Sequence, residues 1–452
     1  MVQFKLSKDQ ELTTELIKKL INRNNQFNVP KFLKMDKYYR AENDILHREQ
    51  ADSTKPNNKV AHPYASYITD TLTGYFMGEG VTYSSEDETA LEELKMVLEY
   101  NDSQDEDMEL AKDMSIYGLS IELAYCDEEG DTRIRRLDPW EVVLVYDDTL
   151  ENELLYCIRY YECEDILTET KYWMIEVYSD TDVTVYKSDE LINTLTIEKG
   201  PTTHYFGLVP VVVYQNNEEQ MGDFERVISL IDSYDQMESD SLNDFEYFVD
   251  AYLCLQGLVA DSDDVKTMKE NRILLLDADS DAKWLIKDTN DTNIENVKTR
   301  IDKDIHKFSK TPDMSDENFS GNSSGVAIKY KTLPMENIVS IKERKFKKGL
   351  QRRIELLFNI MSKMSAPYDW RAIDITFTRN LPTNDTEIAQ MVSTLSGIVS
   401  NETLLAQVPF VEDIQDEQKK VEEEKEKDPW HDTRLGYVGE DEDEGTQEET
   451  EK

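Results

Sequence analysis

Apolar positions change period several times along this chain, and the changes divide it. Leu12, Leu16, Leu20 and Ile21 fall near one face of a helix within residues 7–50. The run from Asn22 to Pro30 ends that element, and a second helix is predicted over 29–50. STKPNNK (53–59) has turn composition. A helix over 60–77 follows, with Tyr64, Tyr67, Ile68, Thr71, Leu72 and Tyr75 on one side, until the glycines of GYFMGEG (74–80) interrupt it. After an acidic helix (86–100) the period drops to two. SIELAY, TRIRRL, EVVLVY, LLYCIRYY, KYWMIEVY and VTVYKS, within 120–198, alternate between turn clusters such as CDEEGD and YSDTD, which predicts an antiparallel meander. LVPVVVY (208–214) reads as its closing strand, and Pro210 points to an edge or a strand start.

The helical period returns over 222–254, where Phe224, Val227, Ile228, Ile231, Tyr234, Leu242, Phe245 and Phe248 mark an apolar stripe. Residues 222–250 hold nine acids and one base, so the opposite side is almost wholly anionic. Residues 255–290 read as a small insert with a strand pair, RILLLD and AKWLIK. A helix over 292–308, a polar segment (309–325) and a long helix over 324–363 come next. Pro334 lies inside that last helix. Proline lacks an amide donor and clashes with the preceding turn, so a kink is expected there. AIDITFTR (372–379) reads as a strand, and TNDTEIAQMVSTLSGIVSNETLLAQV as two short helices.

Charge alters this picture. The 452 residues carry 50 Lys and Arg against 95 Asp and Glu, a formal net charge of -45. A domain that grips DNA by neutralising phosphates is therefore disfavoured, as is a cationic membrane-surface protein. With 24 Tyr and 14 Phe the chain is too aromatic for full disorder. The acidity is uneven: residues 411–452 sum to -12 and end in EDEDEGTQEETEK, expected to be disordered, whereas 329–353 sum to +7. That basic island reads as a helix side offsetting acidic neighbours in preference to a nucleic-acid stripe. The longest apolar stretch, Leu208 to Tyr214, is too short to span a bilayer, and MVQFKLSKDQEL has no apolar signal core. Cys126, Cys157, Cys163 and Cys254 lack C-x-x-C spacing, so they read as reduced thiols and no structural zinc site is expected.

No motif announces an enzyme. GYFMGEG lacks G-x-G-x-x-G spacing and follows a helix, SGNSSGVAIK lacks the G-K-[ST] order, and no H-E-x-x-H or G-x-S-x-G occurs. Carboxylates are too abundant for any pair to mark a metal site. No catalytic residue, metal or cofactor is assigned. The alternative readings are a metal-dependent nuclease or maturation enzyme, and a plain structural interaction protein.

The order and wording of the segments resembles the portal proteins of tailed bacteriophages, of the type found in long-tailed phages of Gram-positive hosts. KYYRAENDILHR (37–48), KPNNKVAHPYASYITDTLTGYFMGEGVTY (55–83), SIYGLSIELAYCDEEG (115–130), LVPVVVYQNNEEQMGDFERVISLIDSYD (208–235), DENFSGNSSGVAIKYK (316–331), KERKFKKGLQRRIELL (342–357) and DITFTRNLPTNDTEIAQ (374–390) carry it. The resemblance implies an α+β, multidomain portal fold: a β-rich and helical wing over 1–215 to which 364–383 return, stem helices at 222–252 and 292–308, and a small α/β clip at 253–291. It further implies a tunnel loop at 309–323, a long kinked helix at 324–363, a helical crown at 384–425 and an acidic disordered tail at 426–452.

By the same resemblance the chain forms a homo-oligomeric ring, usually of twelve subunits, at one capsid vertex. Double-stranded DNA passes through it without being tightly bound. The implied partners are the terminase large subunit, a head-completion or adaptor protein, and the major capsid and scaffolding proteins, with no membrane. The implied location is the virion, and the host cytoplasm during assembly. Lys310, Thr311, Pro312, Asp313, Met314, Ser315, Asp316, Glu317 and Asn318 would form the DNA-facing tunnel loop, Asp232, Asp235, Asp240 and Asp244 an acidic tunnel wall on the stem, and Pro334 the helix kink.

Overall fold

The computed structural model describes residues 1–50, 52, 55–191, 193–249, 252–256, 266, 281–285, 291–314, 325–364, 367–380, 385–408, 411 and 414–427. They group into two compact units, Met1–Asn380 and Leu381–Lys452. In the first, β1 (Phe4–Leu6) precedes α1 (Thr14–Phe27), whose N-cap Thr13 accepts the amide of Leu16. α2 (Val29–Tyr39) follows with Pro30 in its first turn, where the missing amide costs nothing. The predicted second helix stops at Tyr39. Ala41 takes a left-handed conformation (φ 59°), and only a short 3-10 turn, Asp44–His47, follows. Next come α3 (Tyr64–Met77), β2 (Thr82–Ser84), α4 (Glu88–Tyr100) and α5 (Ser103–Tyr117).

α5 has no counterpart in the periodicity. It is buried on most sides, and two of its buried positions are Asp107 and Asp113, which break any apolar stripe. Asp102 and Gly118, both left-handed, bracket it. At Gly118 (φ 89°) a side chain would also meet the Gln220 carbonyl at 2.3 Å, so glycine is required twice over.

The expected meander divides into two sheets. β3 (Leu119–Cys126) and β4 (Thr132–Leu137) pair with β10 (Val211–Gln215) in the order β10-β3-β4, which leaves β10 at an edge, as Pro210 foretold. β5 (Val142–Asp147), β6 (Leu154–Asp165), β7 (Thr170–Tyr178), β8 (Asp182–Ser188) and β9 (Thr196–Thr203) form a second sheet that β1 joins in parallel, Phe4 opposite Val145. Ile17, Leu20 and Ile21 of α1 pack on Val143, Val145, Ile158 and Ile175 of that sheet.

The region after 222 holds α6 (Ile228–Val249), the antiparallel pair β11 (Tyr252–Gln256) and β12 (Asp281–Leu285), α7 (Asp291–Ser309) and α8 (Gly325–Met364). The helical period predicted to reach 254 yields to a strand at Tyr252, whose partner is the AKWL stretch. RILLLD (272–277) lies outside the described residues. β13 (Asp374–Thr376) pairs with β2, so residues near 375 return to the region before α4.

α8 crosses the small sheet at β10. A side chain at Gly349 would meet the Tyr214 ring at 2.3 Å, so helix and strand touch there through glycine. Tyr214 and Phe346 have ring centroids 4.7 Å apart, and Phe76 extends the aromatic cluster to Phe377. The second unit contains the helices Asp385–Leu395, Asn401–Leu405 and Ile414–Lys427. The acidic end from 428 onward lies outside the described residues.

Candidate functional site

The long helices 6, 7 and 8 are held to the rest of the first unit by polar side chains. Several cations of the basic island of α8 pair with acids of the same chain. Arg353, 1% exposed, donates through Nε and Nη2 to both oxygens of Glu122 (2.9 and 2.7 Å) and stands 2.6 Å from Asp107. The Tyr214 hydroxyl donates to Glu122 at 2.9 Å. Burial pushes the Asp107 carboxyl up to about 6 against the pull of Arg353. Lys342, equally buried, pairs with Asp223, which also accepts from Ser115 and Asn216. Lys345 pairs with Glu218, and Lys347 donates to the Ile375 carbonyl at 2.9 Å. Arg379 bridges Glu336 and Glu343 of α8, and the Tyr75 hydroxyl also donates to Glu336, at 2.7 Å. Hydrogen bonds from Arg379 and Tyr75 hold the Glu336 carboxyl below its usual range although burial opposes them.

α6 bears the expected acidic side, but residues 38–62 clasp much of it. The Tyr38 hydroxyl donates to Asp232. Burial raises the Asp232 carboxyl, and the Tyr38 hydrogen bond opposes that rise. Asp235 is fully buried: it accepts the His62 amide at 2.9 Å and the Asn43 side chain at 2.5 Å, and its Oδ1 stands 2.8 Å from the His62 ring. Arg48 binds Asp240 at 2.7 Å, and the Asn58 amide group donates to Glu246 at 2.7 Å. Of the four acids expected to form an anionic wall, Asp235 is turned into the clasp and is not exposed in the chain. Asp232 is half-buried in the same contact, whereas Asp240 and Asp244 remain partly exposed. The clasp residues lie in KYYRAENDILHR and KPNNKVAH, whose wording signals relatedness but whose partners almost two hundred positions later no local pattern shows.

α7 meets α6 through Lys298, which lies 3.1 Å from Glu238. Its end is shaped by Lys310, which takes a left-handed φ of 59° and folds the chain back. Thr311 is then buried, Pro312 and Asp313 are partly exposed, and Met314 is half-exposed. Tyr67 of α3 pins this turn: its hydroxyl donates to the Pro312 carbonyl at 3.0 Å and accepts the Met314 amide at 2.8 Å. Ser315, Asp316, Glu317 and Asn318 lie outside the described residues. Pro334 sits inside α8, which continues through it. The Thr332 hydroxyl donates back to the Ile328 carbonyl at 3.0 Å near the point where the proline withholds an amide.

The model of the family "Phage portal protein, SPP1 Gp6-like" matches residues 17–429. The chain belongs to the phage portal protein family. It is similar to the portal protein of Bacillus phage SPP1, 28% identical over 442 residues, 92% of this chain and 87% of that protein. It is also similar to the portal protein of Clostridium phage phiCD119, 24% identical over 425 residues, 87% of this chain and 92% of that protein. A chain of the solved "Neck of empty GTA particle computed with C6 symmetry" superposes with a TM-score of 0.48 at 10% identity, over 77% of this chain and 90% of that one, a likeness too slight to carry an argument.

Proposed function

We propose that this protein is a portal subunit. It assembles into a ring, of twelve copies, at one capsid vertex of the virion, having been made in the host cytoplasm. Double-stranded DNA is driven in through the ring by the terminase large subunit and later leaves through it. The same ring receives head-completion and adaptor proteins and sits among the major capsid and scaffolding proteins. The observation that carries this reading is the family match over 17–429, nearly the whole described chain. The role is structural, and no catalytic group is assigned. No described helix is long and apolar enough to cross a membrane.

In this reading residues 1–215 with 364–383 are the wing, 222–252 and 292–308 the stem, 253–291 the clip, 309–323 the tunnel loop, 324–363 the kinked helix, 384–425 the crown and 426–452 an acidic tail. Supporting it are the two long helices joined through a strand pair, the pinned turn after α7 and the proline inside α8. A channel for DNA must not become a binding site. Unit charges about 10 Å apart in water interact by only about 0.4 kcal/mol. Salt screens that further over about 8 Å. A net-negative lining therefore acts through many weak repulsions, to which Asp240 and Asp244 contribute, while Lys310 beside the turn makes passing phosphate contacts.

Negative-stain imaging and native mass measurement of the purified full chain test the proposal. Rings with a central hole are expected. A chain that stays monomeric at every concentration and ionic strength overturns it.

A further inference from the structure

Where α7 turns into the segment after it, three metal-ligating side chains converge. Asp302 and His306 stand one helical turn apart on α7, and Asp313 is brought back to them by the left-handed turn at Lys310. One ligand atom of each lies within 4.8 Å of the others. His306 is oriented from behind: its Nδ1 is 3.1 Å from the Thr311 carbonyl, which can only accept, so Nδ1 carries the proton. Its other nitrogen, Nε2, faces Asp302, whose Oδ1 is 3.7 Å away, too far for a hydrogen bond. The Tyr64 hydroxyl donates to Asp302 at 2.7 Å and fixes that carboxylate. Tyr64 and Tyr67 both present edge contacts to the His306 ring, at centroid distances of 6.1 and 5.5 Å. A backbone carbonyl behind the imidazole and a phenol behind the carboxylate are the kind of outer partners that orient metal ligands.

We propose that Asp302, His306 and Asp313 bind a divalent transition-metal ion. One imidazole nitrogen and two carboxylate oxygens suit zinc or manganese, whereas calcium and magnesium favour all-oxygen sets. Three protein ligands leave the remaining positions to water. Because the ligands come from both sides of the turn, the ion ties the last turns of α7 to residues 311–314. The site does not depend on whether the chain forms a channel, so its test is separate from that of the portal reading.

The experiment uses the full chain, stripped with a chelator and titrated with zinc chloride, manganese chloride or calcium chloride in a calorimeter, with bound metal counted by mass spectrometry. One zinc or manganese ion per chain is expected, bound at least ten-fold more tightly than calcium. His306→Gln and Asp313→Asn should each weaken binding by ten-fold or more. Tyr64→Phe, which keeps the ring and removes only the hydroxyl, should weaken it by roughly ten-fold through its outer position. Asp313→Asn lies outside the helix, so it reports even where His306→Gln fails to fold. Added metal should slow amide exchange across 311–314 in the parent chain and leave the Asp313→Asn variant unchanged. Absence of stoichiometric zinc or manganese, affinity unmoved by the substitutions, or nitrogen spectra showing both His306 nitrogens protonated in saturating metal would each overturn the proposal.

Discussion

At Arg353 one guanidinium pairs with two buried carboxylates, and the arrangement is costly to break from one side. Arg353→Met leaves Asp107 and Glu122 uncompensated in the interior and should destabilise the unit by about 3–5 kcal/mol, read from urea unfolding. Replacing all three residues with apolar ones of similar volume should recover most of that loss. Asp113 resembles Asp107. It is bound by Arg136 at 2.7 and 2.8 Å, yet burial pushes its carboxyl up to about 6. The folded carboxyl therefore takes up a proton in a range where the unfolded one, with its ordinary value near 4, does not. The native state binds more protons between about pH 4 and 6, so this group's contribution to stability falls as pH rises through that window. Across it the parent chain should lose roughly 1–3 kcal/mol more than Asp113→Asn. Identical pH profiles for the two proteins would remove the assignment. Neither residue was legible in the sequence as a buried group. An acid in a chain with 95 of them carries no local mark of burial, and Asp107 and Asp113 are part of the reason α5 itself went unseen.

Elements were read well where one period ran long and was cut by a strong breaker. α3, the meander strands, β10 and α8 all appear near their expected positions. The misses have local causes. A single left-handed alanine ends the second helix early, and three-residue strands such as β1 and β2 are too short to show alternation. How the meander divides between two sheets is a tertiary choice that alternation cannot express. Two tests belong to this scale. Pro334→Ala gives α8 an amide that can reach the Tyr330 carbonyl, so amide exchange over 328–338 should slow and stability rise by up to about 3 kcal/mol. Unchanged exchange would mean that the proline leaves no weak point in the helix. Tyr67→Phe removes the hydroxyl that serves both Pro312 and Met314, and the Met314 amide should exchange faster while the α3 amides stay protected.

For the whole molecule, the formal charge of -45 sets the sign of the field outside it but not where that field is strongest. Lys342 and Arg353 of the basic island are directed inward at acids of the same chain, and Asp232 and Asp235 are taken up by residues 38–62. A passing polyanion meets the carboxylates that remain partly exposed. If those line a channel, Asp244→Lys in every subunit should slow DNA entry or strengthen retention at low salt, with the difference fading as salt rises past about 0.15 M. Packaging with the parental rate and salt response would reject a role for that residue. The candidate site was legible only in part. The order of elements and the family were, because they rest on runs of quoted residues, whereas the direction of each acid depends on partners distant in sequence.

The clasp on α6 also sets an order of events. Tyr38 and Asp232 are 194 positions apart, and His62 and Asp235 are 173 apart. Synthesis delivers the clasp first, so its donors are already present when the acids of the helix emerge. Until the two meet, α6 is a run of like charges with little to hold its polar side. Closing the clasp sets Arg48 against Asp240, gives neighbouring acids their hydrogen-bond donors and fixes the helix in one step. This acidic helix is thus completed by a segment made long before it, so its final shape waits on a contact that no local folding can supply.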